Sequence, residues 1–409
     1  MTAALPEQRL VEEVARLERL KNRIAARQAE AIREFARAHV ASQTADGRVE
    51  PGQLEGLERS IVAQVGLACR VAPVEARRRL RVARDLHAGH DRVRALFAAG
   101  ELGEYQVATI IAATSHLDED ARAEVDRQLA ERRVETLGVR RIHDLARTLA
   151  AAADPDGFAR RCRAARSGRR VTVRPAADGM ADLTAHLPVE QAVACYATLA
   201  RAAQDAAASP EPLTRGRGQV MADTLVERLT GRATPDAVPA EIQILVPVEA
   251  LLDPTSPLPA QIPGHGPLPT QRILDNTARK TWRRLLTRDG IIIGGDSRRR
   301  AFTGTLAELI RARDGHRCRE PHCDAPIRHL DHIHRHTHGG PTSFTNGRGL
   351  CAFHNHTRET PGWTAHVVDS TGNTVITTTP TGHRYHSTPT ATITPPFGRA
   401  HDPTRIRAG

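Results

Sequence analysis

The stretch DGHRCREPHCDAPIRHLDHIHRHTHGGPTSFTNGRGLCAFHNHTRETPGW, from Asp314 to Trp363, decides how the chemically legible part of this chain is built. Cys318 and Cys323 flank four residues, and Cys351 and His354 flank two, so two pairs of soft ligands sit on two turns. Thiolate and imidazole in that arrangement suit a tetrahedral Zn²⁺, which can join the turns without a hydrophobic core between them. The fourth ligand is open at this point, because His322 or His356 can stand in for His354. Between the pairs lie Asp331-His332-Ile333, a glycine turn at Gly339-Gly340, then Asn346, with Asn355 beside the second pair. Successive residues on a strand point to opposite faces. One of Asp331 and His332 can therefore ligate a cation while the other faces a water or phosphate, and a short helix after Cys351 brings Asn355 toward the same cation.

Around this stretch the chain has 409 residues, with 58 Lys plus Arg against 47 Asp plus Glu, a formal net charge of +11. That length allows two or more domains, each with its own core. Aromatic residues make up only 3%, so the cores must be built from Leu, Val, Ile and Ala, which favours packed helices. No apolar run approaches the roughly 20 residues of a membrane span. Met1 to Glu13 has neither the basic start nor the apolar middle of a signal peptide. The expectation is a cytoplasmic protein without a membrane partner. Three of the six cysteines (Cys318, Cys323 and Cys351) crowd into one histidine-rich stretch, which in a reducing compartment points to metal and not to disulfides. The basic balance points toward nucleic acid. Lys21 and Lys280 are the only lysines, however, so GC-rich coding would give the same arginine excess.

Upstream, Leu10, Val14, Leu17, Leu20, Ile24, Ile32 and Phe35 recur at three- and four-residue steps, which predicts a long amphipathic helix over 7–40. Helices are also expected over 54–69, 74–86, 93–99, 105–113, 121–134 and 139–153, before Asp154-Pro155-Asp156-Gly157 breaks the pattern. In the third of these, Val74, Leu80, Val82 and Leu86 supply a packing stripe and the arginines between them solvate the outer face or lie along DNA. Alternation over 170–174 and 181–187 around Asp178-Gly179 predicts a hairpin. Helices over 189–208 and 219–230, a strand over 240–248, a Pro/Gly-rich loop over 253–270, a helix over 273–286 and a strand over 290–294 follow. The run Arg298-Arg299-Arg300 marks a hinge, a helix over 306–313 leads into the Cys318 turn, and a hairpin is expected around Gly372 and Gly382.

The quoted stretch resembles an HNH nuclease domain of the zinc-bound type. The whole chain resembles the HNH-signature proteins with a long N-terminal domain of unknown function 222, also called the 13E12 repeat family. Outside the stretch the resemblance rests on Asp178-Gly179-Met180, the Gln219 to Val226 helix with Ala222-Asp223, Gly264-His265-Gly266-Pro267, and Pro380-Thr381-Gly382; within it, on Asp314 after Arg313 and on Pro361-Gly362-Trp363. It implies a metal-dependent endonuclease acting on DNA. His332 would be the general base and Asn346 the residue that holds the loop and orients that base. Asp331, with Asn355, would ligate a catalytic Mg²⁺ or other divalent cation, and Cys318, Cys323, Cys351 and His354 would hold a structural Zn²⁺. The chain departs from the motif at its third letter, where many members have histidine and this sequence has Asn355 with His356 beside it. An amide oxygen can ligate a hard ion; the rival expectation is a zinc-stabilised nucleic-acid-binding module without cleavage.

Arg317, Arg319, Arg328, Arg335, Arg348 and Arg358 surround the expected site and are the candidates for phosphate contacts. His316, His329, His334, His336 and His338 read individually as surface or phosphate-facing side chains, and Trp363 as a packing residue. The expected architecture is α+β and mainly α. It comprises a helical N-terminal domain over 1–297, a zinc-bound ββα-metal module over 298–366, and a Thr/Pro-rich hairpin and tail over 367–409. The first helix also offers a surface for a homodimer.

Overall fold

The computed structural model describes residues 6–45, 54–208, 214–231, 258–262, 266–270, 287–288, 291–292, 301–368 and 374–389, with isolated positions at 244, 246 and 256. The chain is mainly helical with small antiparallel sheets. Among the described residues the helices are α1 (Pro6–Ala45), α2 (Leu54–Cys69), α3 (Pro73–Asp85), α4 (Asp91–Ala99), α5 (Glu104–Thr114), α6 (Glu119–Glu131), α7 (Val139–Ala153), α8 (Pro155–Ala165), α9 (Val189–Ala207), α10 (Arg217–Thr230), α11 (Gly304–Arg313) and α12 (Ala352–Thr357). No helix among the described residues is long and apolar enough to cross a membrane.

Local chemistry sets several boundaries. Pro73 opens α3, where its missing N–H costs nothing. Asp118 caps α6 by accepting from Ala121 N at 2.8 Å. The break at Asp154 is one residue long, shorter than the sequence suggested. Asp154 Oδ1 accepts from Gly157 N at 2.8 Å and Pro155 starts a new helix, so the same residues that end α7 launch α8.

Contacts divide the chain into two compact units, 1–161 with 295–389 and 162–294 with 390–409. This grouping cuts across the division at 297 and 366, because the segment after 300 packs against the helices of residues 1–161. In the second unit, β1 (Arg170–Pro175) pairs with β2 (Ala181–His186). Asp178 and Gly179 both take positive φ at the centre of the turn, which Met180 N closes on Ala177 O at 3.0 Å. Helices α9 and α10 pack together, and β3 (Ala260–Ile262) with β4 (Gly266–Leu268) and β5 (Thr287–Arg288) with β6 (Ile291–Ile292) form two short ladders. The helix expected over 273–286 and the Arg298-Arg299-Arg300 hinge lie outside the described residues. So do most of the strand expected over 240–248 and much of the loop expected over 253–270.

In the first unit, α3 to α7 enclose a core of aliphatic side chains with Phe97, and α1 lays Ala25, Ala26 and Ala29 against it. A second core joins Ile32 and Ala36 of α1 to Leu57, Ile61 and Val65 of α2 and to Ala76, Leu80 and Ala83 of α3. Val74, expected in the packing stripe of α3, is 74% exposed; Ala76 takes the buried place. Three of the five α3 arginines pair with carboxylates: Arg78 and Arg79 with Glu75 and Glu104, Arg84 with Glu58.

The segment after residue 300 begins with α11. Strand β7 (His329–His332) then pairs antiparallel with β8 (Gly347–Leu350), and α12 follows directly. The hairpin expected near Gly372 and Gly382 is a three-stranded sheet, in which β10 (Val375–Thr378) lies between β9 (Thr364–Val367) and β11 (Arg384–Ser387). This assembly sits on α2. Trp363 is buried against Ala63 and Leu67, and its Nε1 donates to Ser60 Oγ at 2.9 Å. Thr381 donates to Gln64 Oε1 at 2.7 Å, and the Arg77 guanidinium stacks on Phe353 of α12 at 5.5 Å.

Candidate metal centre and histidine strand

Two turns and a helix start bring the soft ligands together. Cys318 and Cys323 lie on the turn after α11, held in part by Cys318 N donating to Ala325 O at 2.8 Å. Cys351 is the N-cap of α12, so His354 falls on the first turn of that helix. All four side chains are buried, and their ligand atoms lie within 4.8 Å of one another. Cys318 Sγ is 3.3 Å from His354 Nδ1, Cys351 Sγ is 3.5 Å from the same nitrogen, and Cys323 Sγ is 3.9 Å from Cys351 Sγ. The edges of a tetrahedron around a metal with ordinary zinc bond lengths are about 3.8 Å for S···S and about 3.6 Å for S···N. The donor set and its spacing fit such an ion, and a disulfide between sulfurs 3.9 Å apart is excluded. This Cys₃His group can hold a metal ion such as zinc. His354, and neither His322 nor His356, is the fourth member.

The charges in the cluster are those of a cation site. Hydrogen bonds from Cys318 and Cys323 hold the Cys351 thiol far below its usual range, and His354 adds to this. Cys318 is pushed up by the neighbouring Cys323 and Cys351 and by burial. Burial opposes the charged form of His354, yet the Cys323 and Cys351 sulfurs, with the buried Glu320 carboxylate, raise it to about 9. A metal ion replaces these shared protons.

Asp331 and His332 lie on β7, paired with Arg348 and Gly347 of β8. His332 Nε2 is 2.9 Å from Thr342 Oγ1, and the ring packs against Phe302 at 4.4 Å and His336 at 5.3 Å. Asp331 meets two guanidinium groups, both at Oδ2: Arg358 forms a hydrogen-bonded ion pair with it, and Arg348 Nε lies 3.8 Å away. Arg358 also donates to the carbonyls of His332 and Ile333, which ties α12 to the end of β7. Asn355 is half-buried on α12, its N–H bonded to Cys351 O at 3.0 Å.

Asn346 fastens the loop between the strands. Its Oδ1 accepts from His334 N at 2.8 Å, and its Nδ2 donates to His334 O at 3.0 Å and Pro341 O at 2.8 Å. Two glycines make the loop possible: Gly339 has φ +88°, and a Cβ on Gly340 would fall 1.9 Å from His334 O. Asn346→Ala leaves three backbone groups of this half-buried loop without partners, with an expected cost of about 1–3 kcal/mol. Urea unfolding of the variant measures that cost, and faster exchange of the His334 amide shows where it falls.

The six candidate phosphate contacts separate into two groups. Arg319, Arg348 and Arg358 are corrected: all are buried and committed to carboxylates, Arg319 to Asp314, Arg348 to Glu320, and Arg358 to Asp331. Arg317 and Arg328 are exposed, and half-buried Arg335 pairs with Glu359, so these three remain at the surface. The sequence reading missed the support beneath the strands. Arg313 and Asp314 form a fully buried pair in which Arg313 donates to Phe344 O and Gly347 O while Asp314 accepts from Arg319 and Gly349 N. Charged residues at the end of a helix read as surface, and only the neighbouring strand reveals their burial.

Compared with protein families, the chain matches the domain of unknown function DUF222 over residues 11–314. The chain belongs to the DUF222 family. The matched region ends at Asp314, ahead of Cys318, with the Cys₃His group and the histidine strand beyond it. No curated protein and no solved structure matches the chain. Within this DUF222 protein the family boundary falls inside one compact unit, since 295–389 packs with 1–161.

Proposed function

We propose that this DUF222 protein is a metal-dependent endonuclease of the HNH type, which hydrolyses DNA phosphodiester bonds with the strand–strand–helix unit β7, β8 and α12. The observation that carries this reading is His332. It sits beside Asp331 on a strand whose following loop is locked by Asn346, and its ring is oriented by Thr342 and Phe302. In this reading His332 takes a proton from the attacking water as the general base. The water oxygen bonds to phosphorus as the bond to the 3′ oxygen breaks. Asp331 and Asn355 would hold a Mg²⁺ or similar divalent cation, which supplies positive charge for the phosphate and the departing oxygen. Both arginines meet Asp331 through Oδ2, which leaves Oδ1 as the oxygen for that cation. Cys318, Cys323, Cys351 and His354 would hold the Zn²⁺ that braces the unit, and Arg317, Arg328 and Arg335 would meet phosphates.

Plasmid nicking by the purified full chain with Mg²⁺, Mn²⁺ or Ni²⁺ tests this proposal. His332→Ala is expected to lower the nicking rate by about 10²- to 10⁴-fold with an unchanged melting temperature. Equal nicking by wild type and variant would sink the mechanism. A second reading, a zinc-stabilised nucleic-acid-binding module without cleavage, draws on the neutralisation of Asp331 by Arg358 and on the amide at Asn355. Salt-sensitive DNA binding that survives His332→Ala, with no nicking by wild type under any of the three ions, selects it.

A further inference from the structure

The first four turns of α1 carry a feature that neither the metal centre nor the histidine strand uses. From Glu7 to Lys21 every residue is exposed, and Asn22 is the first to be buried, its Nδ2 donating to Gly100 O. The helix thus projects beyond the body it packs on. Leu10, Val14, Leu17, Leu20 and Ile24 are 43–67% exposed along this projection. At 100° per residue they fall within about 120° of one another. The residues that dock the adjoining turns of α1 on the first core, Asn22, Ala25, Ala26 and Ala29, are centred roughly 130° further round the helix. Along residues 7–24 the first core therefore leaves the stripe uncovered, and that side of α1 is buried only further along, from Ile32 in the second core.

The spacing of the stripe selects what covers it. Leu10, Val14, Leu17, Lys21 and Ile24 follow alternating steps of four and three, the d-a-d-a-d seam of a coiled coil. Val14 at a between Leu10 and Leu17 at d favours two parallel strands, Ile24 fills the last d position, and a single polar a position, here Lys21, fixes register and number. Glu13 and Glu18 would face each other across such a seam. Each is already neutralised within its own helix, Glu13 by Arg16 at 2.6 Å and Glu18 by Lys21 at 2.6 Å. Two copies of the stripe bury on the order of 1,000 Å², the lower bound for a specific interface.

We propose that residues 6–24 of two copies of this chain pair as a short parallel coiled coil and make the protein a dimer. Light scattering on the full chain during size exclusion tests it. The expected mass is twice the 44.6 kDa of one chain at high concentration, falling toward one chain on dilution because the seam is short. The double substitution Val14→Glu with Leu17→Glu is expected to give monomer at every concentration, with unchanged melting temperature and metal content. Val74→Glu, at an exposed apolar residue elsewhere, is expected to leave the dimer intact. Val14→Cys is expected to cross-link two copies under mild oxidation, because a positions meet their own copies in a parallel pair. A wild type that stays at 44.6 kDa throughout, or a dimer that survives the double substitution, overturns the proposal. Failure of the Val14→Cys cross-link overturns the parallel arrangement.

Discussion

Cys351→Ser is expected to abolish metal binding at the Cys₃His group and to unfold the segment from α11 to β11, the largest expected effect of a single substitution among the described residues. Cys351 contributes a sulfur to the Cys₃His group and caps α12, so its loss removes a ligand and the helix start together. Structural zinc supplies about 10–16 kcal/mol of apparent binding energy in small metal-folded domains, comparable to the whole stability of an ordinary domain. The damage is expected to spread, because Phe353 of α12 packs against the α1–α3 core and Trp363 against Ala63 and Leu67 of α2. Far-UV circular dichroism should therefore show a lowered melting temperature for α2 and α3 as well. Chelation of the wild type should reproduce it, with one equivalent of zinc released to a chromogenic chelator. Binding displaces protons from the thiols and from His354, which is held up to about 9, so metal is retained less well as the pH falls below neutral. Wild-type protein that contains no metal and melts identically with and without chelator would remove the basis of this expectation.

Asp314→Ala is expected to cost about 3–5 kcal/mol, the range for one partner removed from a buried ion pair. Arg313 and Arg319 would keep buried charges without a counter-charge, and Gly349 N would lose its acceptor. The pH dependence follows from the same geometry. Burial alone would raise the Asp314 carboxyl, but the Arg313 guanidinium, helped by Arg319 and Gly349 N, holds it below its ordinary value of 3.8. A carboxyl depressed in the folded state binds its proton more readily when unfolded. Its stabilisation is complete above that ordinary value and is lost as the pH falls through the lower folded value. Denaturant unfolding at neutral pH and at about pH 3 measures both effects; a variant that loses less than about 1 kcal/mol at neutral pH would show that the pair is not what ties α11 to β8.

Much of this arrangement was legible in the residues. Helices with an apolar residue every three or four positions, such as α2 and α7, end where the pattern ends, and the Asp178-Gly179 turn announces β1 and β2. The four soft ligands were readable because two short spacings constrain where their sulfurs and nitrogen can go. What periodicity cannot carry is the partner of a charge. Arg319, Arg348 and Arg358 look like phosphate ligands in the chain and prove to be buried supports: Asp314 is brought onto Arg319 by the turn between them, and Glu320 and Asp331 reach Arg348 and Arg358 from other elements. Helix α8 escaped notice because a capping aspartate followed by proline reads equally as a stop and a start.

The bond between Trp363 and Ser60 joins residues 303 positions apart in the chain. During synthesis α2 emerges long before its cover exists, and Ala63 and Leu67 wait in water, or against a chaperone, until the ligand-bearing turns and β9 to β11 have left the ribosome. A chain cut short after α10 therefore carries an unfinished surface on its N-terminal helices. Folding of the ligand-bearing segment, which is made later, then also seals the part that was made first.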